Sequence, residues 1–270
     1  MKTSSLIVAS LGAAFIATGT NAAVYYSTNF GTGYTNGNLA GITQDAAGQN
    51  GWKQTSTAAT TPIQITNGAA IIGTSGQDVY HAFDTTATAT AGTTLYYSAS
   101  MKVTAAQATG DYFLFVGDPA GTSSNFFGRL FAKSTSGGFL LGIQSTSGTN
   151  SAVTYGTTAL TLNQTYNVVV AYDFATGALN DTFAVYVDPN STNRASLTSY
   201  VSAGWLTTST AEPSQLTEIG LRQGTAANAP SVSIYSLAAG SSLADVGVVP
   251  APGAVALLGV AGLVGARRRR

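Results

Sequence analysis

Two glutamates, Glu212 and Glu218, one histidine, His81, and no cysteine are what the middle of this chain offers alongside its aspartates for side-chain chemistry. Retaining hydrolysis of a glycosidic bond needs two carboxyls facing one groove, which on a strand means residues i and i+2. No stretch pairs carboxyls at that spacing, and Glu212 stands beside Pro213 in a loop. His81 lies between Val79 and Phe83 in an alternating run, so it reads as a packed or hydrogen-bonded histidine on the face they share. With no second histidine and no thiolate there is no zinc set, and no Gly-x-Ser-x-Gly turn supplies a nucleophile elbow. The catalytic set expected from these residues is therefore empty, and so is the metal set. One oxygen-bound cation is left open: Asp111, Asp118 and Asn125 could converge on calcium, the alternative being three solvated loop residues. Trp52 and Trp205 are the candidate ligand-binding residues, because a flat ring suits the face of a sugar, against burial in a core. Asp181 and Arg222 read as residues that close turns or pair structurally.

The elements that would carry these residues are strands. Between the apolar ends, six Lys and Arg stand against eleven Asp and Glu, a net charge of about −5 from the five cations lying outside that region. No basic stripe is present, which excludes nucleic acid as a partner. Only 8% of the chain is charged, 13 residues are tyrosine, and threonine is abundant, a composition biased to β structure. Period-two alternation over Thr93 to Val103 puts Leu95, Tyr97, Ala99, Met101 and Val103 on one face. Asn67-Gly68, between Pro62 to Thr66 and Ala69 to Thr74, predicts a type I′ hairpin. Further strands are predicted at Val24 to Phe30, Val79 to Phe83, Asp111 to Val116, Phe126 to Lys133, Gly138 to Ser145, Thr165 to Phe174, Thr182 to Val187, Glu218 to Gln223 and Ser231 to Leu237. About twelve strands at this spacing predict an antiparallel sandwich or barrel.

The run from Leu162 to Phe174, followed by Asn180-Asp181-Thr182, Val185 to Pro189 and Ile219 to Gly224, resembles the C-terminal half of concanavalin A-like (LamG-like) jelly-roll domains of exported bacterial proteins. The resemblance implies an antiparallel jelly-roll β-sandwich. Tyr235 and Leu243 stand where Asp and Trp are common in the closing strand of such domains.

Both ends read as addresses. Lys2, an apolar run from Leu6 to Ala17 and small residues to Ala23 form a signal peptide, a helix cut after Ala22 or Ala23. At the other end, Val249-Pro250-Ala251-Pro252-Gly253 breaks any regular element, an apolar stretch follows, and the chain stops on Arg267, Arg268, Arg269 and Arg270. As a helix, Val248 to Ala266 would span about 28 Å, enough for a hydrocarbon core, with the arginines held at the cytoplasmic face. The order of break, apolar helix and arginine cluster resembles the PEP-CTERM sorting signal, departing from it at Ala251, where a glutamate is usual. The resemblance implies processing by an exosortase-type enzyme after passage through the secretion machinery. The expected organisation is a signal peptide at 1–23, a sandwich at 24–239, a linker at 240–248 and a sorting and membrane segment at 249–270. The expected protein is non-catalytic, lies at the cell surface or in the extracellular matrix, and is anchored transiently in the inner membrane. It contacts polysaccharide weakly and with little salt dependence, because no cluster of Lys or Arg is visible. A divergent glycan-active hydrolase or lyase and a purely structural matrix protein are the alternatives.

Overall fold

A computed structural model of the chain describes residues 22–42, 47–55, 61–88, 90–118, 126–147, 151–206 and 210–249. The predicted signal helix and C-terminal hydrophobic helix, with Pro250 to Gly253 and Arg267 to Arg270, lie outside the described residues. Among the described residues no helix is long and apolar enough to cross a membrane, and the helical elements are two single turns, Gln49–Gly51 and Arg194–Ser196.

The described strands are β1 (Val24–Asn29), β2 (Gly37–Asn38), β3 (Lys53–Gln54), β4 (Gln64–Thr66), β5 (Ala69–Ile72), β6 (Val79–Thr88), β7 (Thr94–Ala105), β8 (Asp111–Gly117), β9 (Phe126–Thr135), β10 (Gly138–Gln144), β11 (Thr154–Tyr155), β12 (Thr165–Asp173), β13 (Thr182–Val187), β14 (Val201–Gly204), β15 (Gln215–Leu221) and β16 (Ser231–Gly240). They form two antiparallel sheets packed as a β-sandwich. One runs β14-β13-β12-β7-β16-β5-β4-β2, with β1 also on β16, and the other β11-β10-β9-β8-β15-β6-β3.

The predicted alternation of β7 is realised. Leu95, Tyr97, Ala99, Met101 and Val103 are all buried in the inter-sheet core, where burial of apolar area supplies the main driving force. The Asn67-Gly68 turn has φ of 51° and 76°, the double positive φ that a type I′ hairpin requires. The strands absent from the sequence expectation are β2, β3, β11 and β14, each of two to four residues and too short to show a period.

The outer face of β7 is covered at its Tyr96 end. The stretch 240–248, predicted as a linker, folds back over the nine-stranded sheet and buries Leu243, Val246 and Val248 against Tyr96, Val169, Ala171, Ala184, Tyr186 and Ala238. Ser241 donates its N–H to the Ala23 carbonyl and its Oγ accepts from the Ala23 N–H at 2.9 Å, so the two ends of the packed body are tied to each other. This is why β12 reads as a continuous apolar run from Val168 to Tyr172 rather than an alternating one: over that stretch both of its faces are covered.

Candidate functional site

The outer face of the seven-stranded sheet carries a joined group of ionised, amide and aromatic side chains; over the other sheet Arg194, Asp173, Tyr186 and Tyr96 form a smaller one. Its centre is β8. A register shift between Tyr112 and Leu114 turns both Phe113 and Leu114 into the core, leaving Tyr112 and Phe115 on the outside. Phe115 needs room, which Gly220 on the neighbouring β15 provides: a Cβ there would lie 2.0 Å from Phe115 Cζ. Phe126 stacks on Phe115 at 4.0 Å and Phe131 flanks Tyr112 at 5.5 Å, giving a patch of four rings.

Two guanidinium groups close on the Tyr112 ring, Arg222 with its Cζ 4.3 Å from the centroid and Arg129 at 4.7 Å. Each is a cation–π contact of a buried ring, the setting in which such contacts are strongest. Arg222 also meets Asp111 Oδ2 at 2.7 Å and Asp78 Oδ2 at 3.5 Å, as ion contacts rather than aligned hydrogen bonds at Nη1. Asp78 Oδ1 accepts the Gln223 N–H at 3.0 Å and Asp111 Oδ1 accepts the Tyr112 N–H at 2.8 Å. Arg129 donates from Nη2 to Gln144 Oε1, and Gln144 Nε2 donates to the Ser151 carbonyl at 3.0 Å. Lys133 lies 4.0 Å over the Tyr155 ring at the edge of the same face.

Burial governs the proton affinities here. It pushes Asp78 up to about 7, against the opposing pull of Arg222 and the Gln223 N–H. It raises Tyr112, opposed by both guanidinium groups, and lowers Arg129. Burial alone would lower Arg222 as well, but Tyr112, Asp111 and Asp78 hold it above its ordinary range. A carboxyl that exchanges its proton near neutrality, a phenol and an amide thus share one surface.

The residues singled out in the sequence fall elsewhere. Trp52 is fully buried, its Nε1 donating to Tyr34 Oη at 3.1 Å and its ring set among Tyr26, Phe30 and His81. Trp205 is 8% exposed, lies between Phe127 and Phe183, and donates to the Thr210 carbonyl at 3.3 Å. Both indoles lie in the core between the two sheets rather than on an outer face, so the expected ligand-binding pair is corrected. His81 packs on Tyr26 at 4.3 Å with its ring nitrogens 2.6 Å and 2.8 Å from the carbonyls of Ala82 and Asn50. Asp111 is engaged by Arg222, Asn125 lies outside the described residues, and among the described residues no three acids or histidines group as metal ligands. Glu212 accepts the N–H groups of Asn180 and Asp181, and Asp181 accepts from Tyr172 Oη and the Ala175 N–H, both at 2.8 Å. These two carboxyls line a hollow of about 500 Å³ but are spent closing the β12–β13 hairpin. Glu218 is 1% exposed beside Gly117. Ala22 is exposed, Ala23 begins the packed body, and Val249 at its other end is 74% exposed.

Arg222 was noticed in the sequence as a pairing residue, but Asp78, Tyr112, Arg129 and Gln144 were not. Arg129 carried a signal: it is one of six cations between the apolar ends and stands inside the run Phe126-Phe127-Gly128-Arg129-Leu130-Phe131, where a charge has no reason to be unless the strand's outer face uses it.

No protein-family model and no curated protein matches the chain. Among solved structures it is similar to the CBM2 module of Lactobacillus casei BL23 phage J-1 evolved Dit, at 12% identity over 82% of this chain and 96% of that one, with a TM-score of 0.43. It is also similar to the globular domain of T. cruzi calreticulin, at 11% identity over 83% and 90% with a TM-score of 0.41, and to the carbohydrate recognition domain of Emp47p, at 10% over 82% and 97% with a TM-score of 0.43.

Proposed function

We propose that this is an exported, non-catalytic protein of the cell surface or extracellular matrix whose concanavalin A-like jelly-roll body holds polysaccharide on the outer face of its seven-stranded sheet. The observation that carries the reading is the fixed stack of Arg222, Tyr112 and Arg129, tied by Gln144 on one side and Asp111 on the other. Preformed polar groups beside rings suit a glycan, whose hydroxyls need partners and whose C–H faces need apolar cover. Absence of turnover is supported by the same contacts, because Asp78 and Asp111 both face one guanidinium and neither stands free as a nucleophile. The leader ending at Ala22 or Ala23 and the tail from Val249 to Arg270 support export and exosortase-type processing.

A second reading is favoured by one observation. Asp78, titrating near 7 within a salt bridge of Arg222, has the proton affinity of a general acid or base, so a divergent hydrolase or lyase would place its chemistry here. Affinity electrophoresis of the intact chain in polysaccharide gels, run beside reducing-sugar and unsaturated-product assays, separates the two. Retardation without product release is expected. Product release abolished by Asp78→Asn would move the protein to the enzyme class, and no retardation by any polysaccharide would leave a purely structural role.

A further inference from the structure

Resting on that reading, we propose that the glycan taken by this face carries carboxylate groups, as a hexuronate does, and that Arg129 receives one of them. Arg129 is 7% exposed, and its Nε has no hydrogen-bond partner among the described residues. Among the described residues its guanidinium touches uncharged groups, Gln144 Oε1, the Tyr112 ring and, at 5.9 Å, the Phe131 ring, and Asp111 acts on it only as a more distant opposite charge. The three ion pairs among the described residues are Arg194 with Asp173 and Arg222 with Asp78 and Asp111. Asp78 and Asp111 are both engaged by Arg222; that second cation acts on Arg129 as a like charge, and Asp111 acts on it as a weaker opposite one.

A buried charge is ordinarily paired, because leaving water without a counter-ion is costly. The same molecule meets that requirement elsewhere. Arg194, on the other sheet and more exposed, forms a two-pronged contact with Asp173 and bonds Tyr186 Oη at 3.0 Å. Arg129 is deeper and has no such partner. A planar fork with a free Nε edge matches a carboxylate in both charge and shape, whereas a hydroxyl would leave the charge uncompensated. Tyr112 and Phe131 hold the fork in place before any ligand arrives, so little ordering is needed on binding.

Lys133 sits on the same face, four residues along β9 from Arg129, and by register Lys53 faces the same way: it pairs with Tyr80, which pairs with Gly220 beneath Phe115. Four of the six cations between the apolar ends, Lys53, Arg129, Lys133 and Arg222, are thereby gathered on one surface from three different strands or strand ends. The lack of a basic run in the sequence leads to an expectation of weak salt dependence; this grouping leads to the opposite expectation, which the salt series below decides.

The test compares retardation of the intact chain by polygalacturonate, by the same polymer fully methyl-esterified, by dextran and by dextran sulfate, at low and high ionic strength. Binding is expected to polygalacturonate, to fall on esterification, to weaken with salt and to exceed that to dextran sulfate. Arg129→Lys keeps the charge but not the fork and should weaken polygalacturonate binding by about tenfold, and Arg129→Met should abolish it while both variants keep the wild-type circular dichroism. If Arg129→Met does not fold, free galacturonate raising the melting temperature of wild type more than that of Arg129→Lys decides. Equal binding of free and esterified polymer, equal or tighter binding of dextran sulfate, or undiminished binding by Arg129→Lys and Arg129→Met overturns the carboxylate assignment and leaves glycan binding standing. Failure to bind any of the four polymers overturns both.

Discussion

Replacing Asp78 by Asn should make the protein more stable above neutrality and flatten its pH dependence. Asp78 is held near 7 by burial, while an unfolded chain returns it to its ordinary 3.8. The folded state therefore binds this proton more tightly than the unfolded state. Stability from Asp78 is complete below about pH 4, declines as the pH rises, and is lost above about pH 7. At about 1.4 kcal/mol for each tenfold, the interval from 3.8 to about 7 sets a ceiling of about 4 kcal/mol. The Asp78 side chain is 23% exposed, so water reaches the ionised form and a loss of about 2 kcal/mol is the working figure. Asparagine cannot ionise, can still accept the Gln223 N–H, and gives up an ion contact at 3.5 Å worth about 0.2–1 kcal/mol. Asp78→Asn should then gain about 1 kcal/mol at pH about 8 and gain nothing at pH about 4. Urea unfolding of the two proteins across that range measures both values. A variant less stable than wild type at about pH 8, or two curves that run parallel, would show that Arg222 outweighs burial at this carboxyl.

Leu243→Ala should cost about 2–4 kcal/mol, because Leu243 is 3% exposed on the outer face of the nine-stranded sheet; a change under about 0.5 kcal/mol in urea unfolding would mean that 240–248 is a loose linker after all. Gly220→Ala should cost about 1–3 kcal/mol through the Phe115 ring, whereas Gly204→Ala, with nothing within 4 Å, should be close to neutral; equal effects in thermal unfolding would dissociate Gly220 from the ring patch. Arg194→Gln should cost about 1 kcal/mol at neutral pH by breaking the fork on Asp173. Although burial opposes ionisation of Asp173, Arg194 and Thr94 hold its carboxyl below the ordinary range, so the deficit should shrink as the pH falls through the Asp173 titration, and a deficit constant down to about pH 3 contradicts the pairing.

The sandwich was legible because its inner faces obey one rule. Alternation in β7 and the Asn67-Gly68 turn each specify local structure without reference to distant residues, and both appear where the pattern put them. The candidate site was not legible for a physical reason: its members come from separate strands, Asp78 at the start of β6, Tyr112 on β8, Arg129 on β9, Gln144 on β10 and Arg222 after β15. Their neighbourhood is a product of strand order, and the register shift in β8 that turns Tyr112 outward has no sequence signature in Asp111-Tyr112-Phe113-Leu114. Aromatic type alone misled at Trp52 and Trp205, since a large apolar ring is also what fills the space between two sheets.

The two outer faces are treated in opposite ways, and this bears on how the protein would present its site. The nine-stranded sheet spends its outer apolar residues on Leu243, Val246 and Val248, the last packed residues before the tail. The chain leaves the body at Val249, which is 74% exposed, from the side of that sheet. Tyr112, Arg129 and Arg222 lie on the far side of the sandwich, across the core formed by both sheets. Val249 and the group of Lys53, Arg129, Lys133 and Arg222 therefore lie on opposite sides of the sandwich. On the reading proposed above, in which the body is held through its C-terminus, that group faces away from the attachment.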